Sequence, residues 1–141
     1  MHSALHVRDW MNDLVVFVDP EGSVLDALSL MRRRYINSLI VRKTEDSPEF
    51  GIVTSIDICD KIVAHGCNPS GLKVKDLMSS PLITATPDMT IEECARLMKE
   101  NRIHHLPVSD KQGNIIGMIS ANDFLIIAET YGRGSGERTL S

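Results

Sequence analysis

Apolar positions along the chain fall into short groups, and the spacing within each group predicts an element. Val15-Val16-Phe17-Val18 is an apolar run that ends at Asp19-Pro20, which suits a brief strand stopped by a proline turn. Ser23 follows as a helix cap, and Val24, Ala27, Leu28 and Met31 then recur at helical spacing. Leu39-Ile40-Val41 and Gly51-Ile52-Val53-Thr54 are two further strand-like runs, and the polar stretch from Thr44 to Glu49 between them predicts a hairpin. A closing helix is expected from about Ile56 to Val63. The first half therefore reads β-α-β-β-α.

The same order returns in the second half. Leu82-Ile83-Thr84 is the strand run, and Thr90-Ile91-Glu92-Glu93 is a capping box ahead of the helical stripe Ile91, Cys94, Ala95 and Met98. Leu106-Pro107-Val108 and Ile115 to Ser120 form the second hairpin, and a closing helix is expected from about Asn122 to Glu129. The halves also match residue by residue. Val7-Arg8-Asp9-Trp10-Met11 returns as Val74-Lys75-Asp76-Leu77-Met78, so residue 7 matches residue 74, an offset of 67. That offset also pairs Pro20 with Pro87, Ser23 with Thr90, Leu30-Met31 with Leu97-Met98, Leu39 with Leu106 and Val41 with Val108. Past the hairpin the offset becomes 66, and Gly51-Ile52-Val53-Thr54-Ser55-Ile56-Asp57 matches Gly117-Met118-Ile119-Ser120-Ala121-Asn122-Asp123. The expected organisation is copy one over 7–64, a Gly/Asn/Pro-containing linker over 65–73, copy two over 74–130 and a disordered tail over 131–141. A unit of about 60 residues is marginal alone, so the copies are expected to depend on each other.

Composition narrows the classes. With 141 residues, 43% hydrophobic and 24% charged positions, the chain is an ordinary globular one. Its net charge of −4 and single short basic run, Arg32-Arg33-Arg34, argue against nucleic acid as a partner. No window approaches a membrane span, and the N-terminus lacks the apolar stretch of a signal peptide, so a cytoplasmic location without membrane contact is expected. Cys59, Cys67 and Cys94 fit neither a disulfide framework nor a zinc site; they read as buried or half-buried free thiols.

Motifs for catalysis are absent: the chain has no GxSxG, HExxH, GxxxxGK[ST] or GxGxxG pattern, and no metal-ligand spacing. A non-catalytic protein with no metal is expected. Two places invite a ligand. Thr54-Ser55-Ile56-Asp57 and Ser120-Ala121-Asn122-Asp123 each stand where a strand hands over to a helix. A hydroxyl followed three residues later by an acid is a helix cap. The same pieces also suit a ribose and phosphate, because a carboxylate accepts both hydrogen bonds of a diol and a helix N-terminus favours an anion. The second place is Asn101-Arg102-Ile103-His104-His105-Leu106-Pro107-Val108. Neighbouring residues on a strand point to opposite faces, so His104 and His105 are not expected to share a metal. They read as surface or core-edge histidines, and copy one has Asn37-Ser38 at that place.

Taken together, the opening V-[RK]-D-x-M, the strand-proline turn, the capped helix ending in Leu-Met, the apolar strand and the closing G-h-[VI]-[ST]-x-x-D resemble the CBS-domain pair, or Bateman module, over about residues 7 to 130. The resemblance implies an α+β fold in which two β-α-β-β-α units pack through their sheets about a pseudo-twofold axis. It implies clefts that take adenosine-containing ligands: AMP, ADP or ATP, with NAD or S-adenosylmethionine as further possibilities, and no required cofactor. By the same resemblance Asp123 and Asp57 bind ribose hydroxyls, and Ser120 and Thr54 lie near ribose or phosphate. Ile83, Thr84 and Pro107 then flank adenine in the second-copy site, Val16 and Ile40 do so in the first, and His104 and His105 reach phosphate. Because copy one lacks the histidines, the second-copy site is expected to be the stronger. Histidines in general titrate near 6.5, so such contacts predict tighter phosphate binding on mild acidification. A homodimer and an unidentified regulated protein partner are further expectations. The rival expectation is a structural interaction module whose closing turns are caps only.

Overall fold

The computed structural model describes residues 5–133. The part of the expected tail beyond Arg133 lies outside the described residues. Residues Val15–Leu82 form one compact unit, and the segments on either side of it form the other. The compact units thus do not follow the linear repeat: the opening segment of copy one belongs with copy two.

The first unit holds β1 (Phe17–Val18), α2 (Val24–Arg34), β2 (Ser38–Val41), β3 (Gly51–Thr54), α3 (Ser55–Lys61) and α4 (Val74–Leu77). The second holds α1 (Val7–Trp10), α5 (Ile91–Asn101), β4 (His105–Ser109), β5 (Ile115–Ser120) and α6 (Ala121–Arg133). Strands β1 and β2 are parallel and β3 is antiparallel to β2, while β4 and β5 make an antiparallel pair. The chain is thus α+β, with helices and small sheets in each unit. The cores are matched by the repeat. Val24, Ala27, Met31, Leu39, Val41 and Val53 in one unit correspond to Ile91, Cys94, Met98, Leu106, Val108 and Ile119 in the other, all buried. Each set combines one helical stripe with alternate strand positions, as burial of one face of each element requires.

Several expectations change. The opening motif is a short helix of four residues in each copy. Its acid caps it: Asp9 accepts the His6 N–H at 3.2 Å and Asp76 accepts the Lys73 N–H at 2.8 Å. Each opening helix docks on the proline turn of the other copy, through Val7 N–H to Met89 O and Val74 N–H to Gly22 O, both 2.9 Å. Behind it Asn12 exchanges two backbone hydrogen bonds with Met118, and Ser79 does the same with Ile52. This close approach explains the glycines of the closing motif. A Cβ on Gly117 would stand 2.8 Å from Met11 Sδ and 3.1 Å from Asn12 O, and one on Gly51 would stand 2.6 Å from Met78 Sδ.

The strand expected over Leu82-Ile83-Thr84 does not form. In copy one, Ile40 N–H donates to Val16 O and Arg42 N–H to Val18 O, both 2.9 Å. Copy two keeps the second of these as Ser109 N–H to Ala85 O, but Pro107 stands where Ile40 does and has no N–H to give. Only the parallel bridge between Ala85 and Val108 remains. The segment expected to be plain linker contains two single turns of 3-10 helix, Val63–His65 and Pro69–Gly71. The second closing helix continues to Arg133, and Tyr131 donates its hydroxyl to Glu92 at 3.0 Å, so residues 131–133 are helical and not tail. Of the cysteines, only Cys94 is buried; Cys59 and Cys67 are exposed, on outward positions the core does not use. Burial pushes the Cys94 thiol up to about 11.

Candidate functional site

The closing turns are built from the strand upward. In copy two, β4 alternates: Leu106 and Val108 enter the core, which leaves His105, Pro107 and Ser109 on the opposite face. Strand register sets His105 directly across from Ser120. The chain then turns into α6, and Ala121 N–H donates to His104 O at 2.9 Å, which fixes the turn against the start of the strand. Asp123 reaches back so that its Oδ2 accepts the Ser120 N–H at 2.8 Å and the Ser120 hydroxyl at 3.4 Å. Its Oδ1 carries no hydrogen bond or ion pair among the described residues. His105, Ser120 and Asp123 therefore share one half-buried corner. Burial lowers the His105 pKa from 6.5, nearby His104 lowers it further, and the Asp123 carboxylate opposes both.

The other expected second-copy residues are placed unevenly. Thr84 lies beside this strand face, its hydroxyl accepting from Ser109 at 3.4 Å. Pro107 is buried on that face and Ile83 is exposed. His104 leaves the group: it lines an open groove of about 450 Å³ with Met98, Lys99, Arg102, Ile103 and Phe124. The structure thus separates the two histidines, as alternation at the start of a strand requires.

Copy one repeats the turn with different chemistry. Register sets Ser38 across from Thr54, and Ser55 N–H donates to Asn37 O at 3.0 Å. Asp57 Oδ2 accepts the Thr54 N–H at 2.8 Å, and Asp57 N–H donates to Thr54 Oγ1 at 3.3 Å, so the expected capping box is present. Ile40 is fully buried, on the strand face opposite Leu39 and Val41, and Val16 is half-buried against the core. One contact has no counterpart in copy two. Lys61 Nζ lies 3.3 Å from Asp57 Oδ1 and donates to Leu77 O at 2.7 Å. The sequence reading missed Lys61, although the Asp57–Lys61 spacing of i, i+4 is the signal of such a pair. Copy two has Ile127 at that register, in the core.

Among the described residues no group of His, Cys, Asp or Glu is arranged to hold a metal, and no helix is long and apolar enough to cross a membrane.

Comparison with known proteins gives the fold its family. The family model for the CBS domain matches twice, over residues 7–64 and 74–129. The protein MK0525 of Methanopyrus kandleri is 33% identical over 111 residues, which are 79% of this chain; the chain spans only 56% of that relative. The hexameric CBS-CP12 protein of bloom-forming cyanobacteria superposes with a TM-score of 0.85 at 29% identity, over 98% of this chain and 79% of its own. The CBS domain pair of protein MJ0100, solved with 5′-methylthioadenosine and S-adenosyl-L-methionine, superposes with a TM-score of 0.78 at 22% identity, over 92% of this chain and 99% of its own. The two matches, one to each half of the repeat, make the chain a member of the CBS domain family, carrying a pair of CBS domains.

Proposed function

We propose that this chain is a non-catalytic regulatory module that binds an adenosine-containing ligand at the second-copy closing turn and reports nucleotide or metabolite state to a partner protein in the cytoplasm. The observation that carries this reading is the Asp123 carboxylate, fixed through Oδ2 and open at Oδ1, beside Ser120 and His105. A fixed carboxylate with a free oxygen suits a vicinal diol, and an adjacent imidazole that gains charge in acid suits a phosphate. Pro107 on that strand face and Thr84 beside it offer an apolar wall and a hydroxyl for the base. AMP, ADP and ATP are the first ligands to test; the ligands of the MJ0100 pair carry the same adenosine ribose and support the class. Val16, Ile40, Thr54 and Asp57 form the weaker counterpart in copy one.

Self-association is part of the proposal. Leu125 and Ile126 stand 71% and 54% exposed on α6, and the superposed CBS-CP12 protein is hexameric. Sedimentation at micromolar concentration is expected to return at least a dimer, and a monomer there would remove this element.

A second reading is favoured by the same turns: Asp57 and Asp123 both cap helices, which a purely structural interaction module also needs. Thermal shift with AMP, ADP, ATP, NAD and S-adenosylmethionine separates the two, because a ligand that binds the folded state raises the melting temperature. The ligand reading expects a rise with at least one compound, abolished in Asp123→Ala. No rise with any, together with only the loss of about 1 kcal/mol expected for a missing cap, leaves the structural module.

A further inference from the structure

Register and core packing set Lys61 against the ribose chemistry of its own copy. In copy one the closing helix ends at Lys61, and Ile62 drops into the core at 4% exposure. In copy two the helix runs on, and Ile127, the counterpart of Lys61, fills the core instead. The one-residue difference leaves Lys61 outside the core, where its ammonium is held between Asp57 Oδ1 and the Leu77 carbonyl. We propose that Lys61 is a specificity-determining residue that closes the first-copy turn to ribose, so that a chain with two homologous turns has one high-affinity diol site.

This rests on the ligand reading given above and deepens it. A diol donates two hydrogen bonds, and a carboxylate oxygen with its lone pairs free can accept them. Asp123 presents one oxygen fixed by its cap and one open. Asp57 presents the same capped oxygen, and its other oxygen faces an ammonium that is itself tethered to α4. A diol entering there must displace a charge-assisted contact, and Lys61 loses its short hydrogen bond to Leu77 O when it moves. Loss of such contacts weakens binding by about tenfold or more.

The test is calorimetric titration of the full chain with 5′-methylthioadenosine, which has the ribose diol and no phosphate for a lysine to attract. The wild-type protein is expected to bind one equivalent and Lys61→Met two, with the gained site lost again in Lys61→Met/Asp57→Asn. One equivalent in both the wild type and Lys61→Met overturns the lysine's role and leaves the ligand reading standing, as do two equivalents in the wild type. Binding to neither protein removes the ligand reading and this inference with it.

Discussion

In copy one the closing helix stops after seven residues and an isoleucine beyond its end completes the core; in copy two it runs for 13 residues and completes the core from within. The helical stripe, the buried strand positions and the capping acid are otherwise alike. Two consequences follow from this single shift. Copy one gains an outward lysine that engages the second oxygen of Asp57, and copy two keeps Asp123 open beside a histidine. A duplicated unit can therefore hold its fold constant and still diverge in chemistry, because the core tests volume at a position and not which residue of the register supplies it.

Substitutions at that position give the largest contrast. Ile127→Ala is expected to cost about 3 kcal/mol, since it deletes a fully buried side chain, and Ile62→Ala a similar amount in the other unit. Lys61→Ala is expected to cost about half as much, ~1.5 kcal/mol, because its partly exposed ion pair adds little and the lost hydrogen bond to Leu77 O carries most of the effect. Urea unfolding of the three variants checks this, and equal losses at residues 61 and 127 would erase the comparison.

Next in size is the glycine at each closing strand. Gly117→Ala is expected to destabilise by about 1–3 kcal/mol, because the added methyl meets both Met11 Sδ and the Asn12 carbonyl. Met11→Ala in the same chain is expected to recover only part of that loss, since the carbonyl stays at 3.1 Å from the added carbon. Full recovery in a thermal melt would show that the sulfur alone sets the requirement.

Acid sharpens the comparison at a smaller scale. The folded His105 pKa lies below 6.5, so below that pH the unfolded chain takes up the proton more readily. Its contribution to stability is fully present above 6.5 and is lost as pH falls toward the folded value. Melting temperature should therefore drop between pH 6.5 and 5.5 more in the wild type than in His105→Gln. Over the same window AMP affinity should rise, because phosphate favours the charged imidazole, while 5′-methylthioadenosine affinity stays flat. Equal AMP affinity at pH 5.5 and 7.5 would remove His105 from the phosphate.

The smallest effect is expected where α2 and α5 each end on a left-handed residue, Tyr35 at φ 54° and Arg102 at φ 55°. Tyr35→Gly and Arg102→Gly should each raise stability by about 1 kcal/mol, as neither side chain is needed to close the turn. A loss in one copy alone, measured by chemical unfolding, would show that its side chain makes contacts worth more than relief of the left-handed turn.

Much of the fold is legible in the sequence. The offsets of 67 and 66 pair core residue with core residue, because burial of one face imposes the same period on both copies. The caps at Ser23, Thr54 and Thr90 were equally plain, since each is local in sequence. What stayed hidden depends on contacts between distant segments. The exchange of opening helices between compact units leaves no local pattern. The loss of a strand at Ile83 follows from a missing N–H at Pro107, 24 residues away, which becomes visible once the ladder partner is known. Lys61 is half legible: its spacing to Asp57 is a helix pair, but its tether to Leu77 O depends on how α4 packs.

Ribose binding by copy two through Asp123 is open to a direct test. Backbone amide NMR during titration with AMP locates binding without a substitution. Ser120 through Asp123 and His105 are expected to shift first and saturate together while Thr54 through Asp57 stay in place. Shifts that begin at Thr54 and Asp57, or that avoid both turns as AMP binds, would contradict ribose binding by copy two.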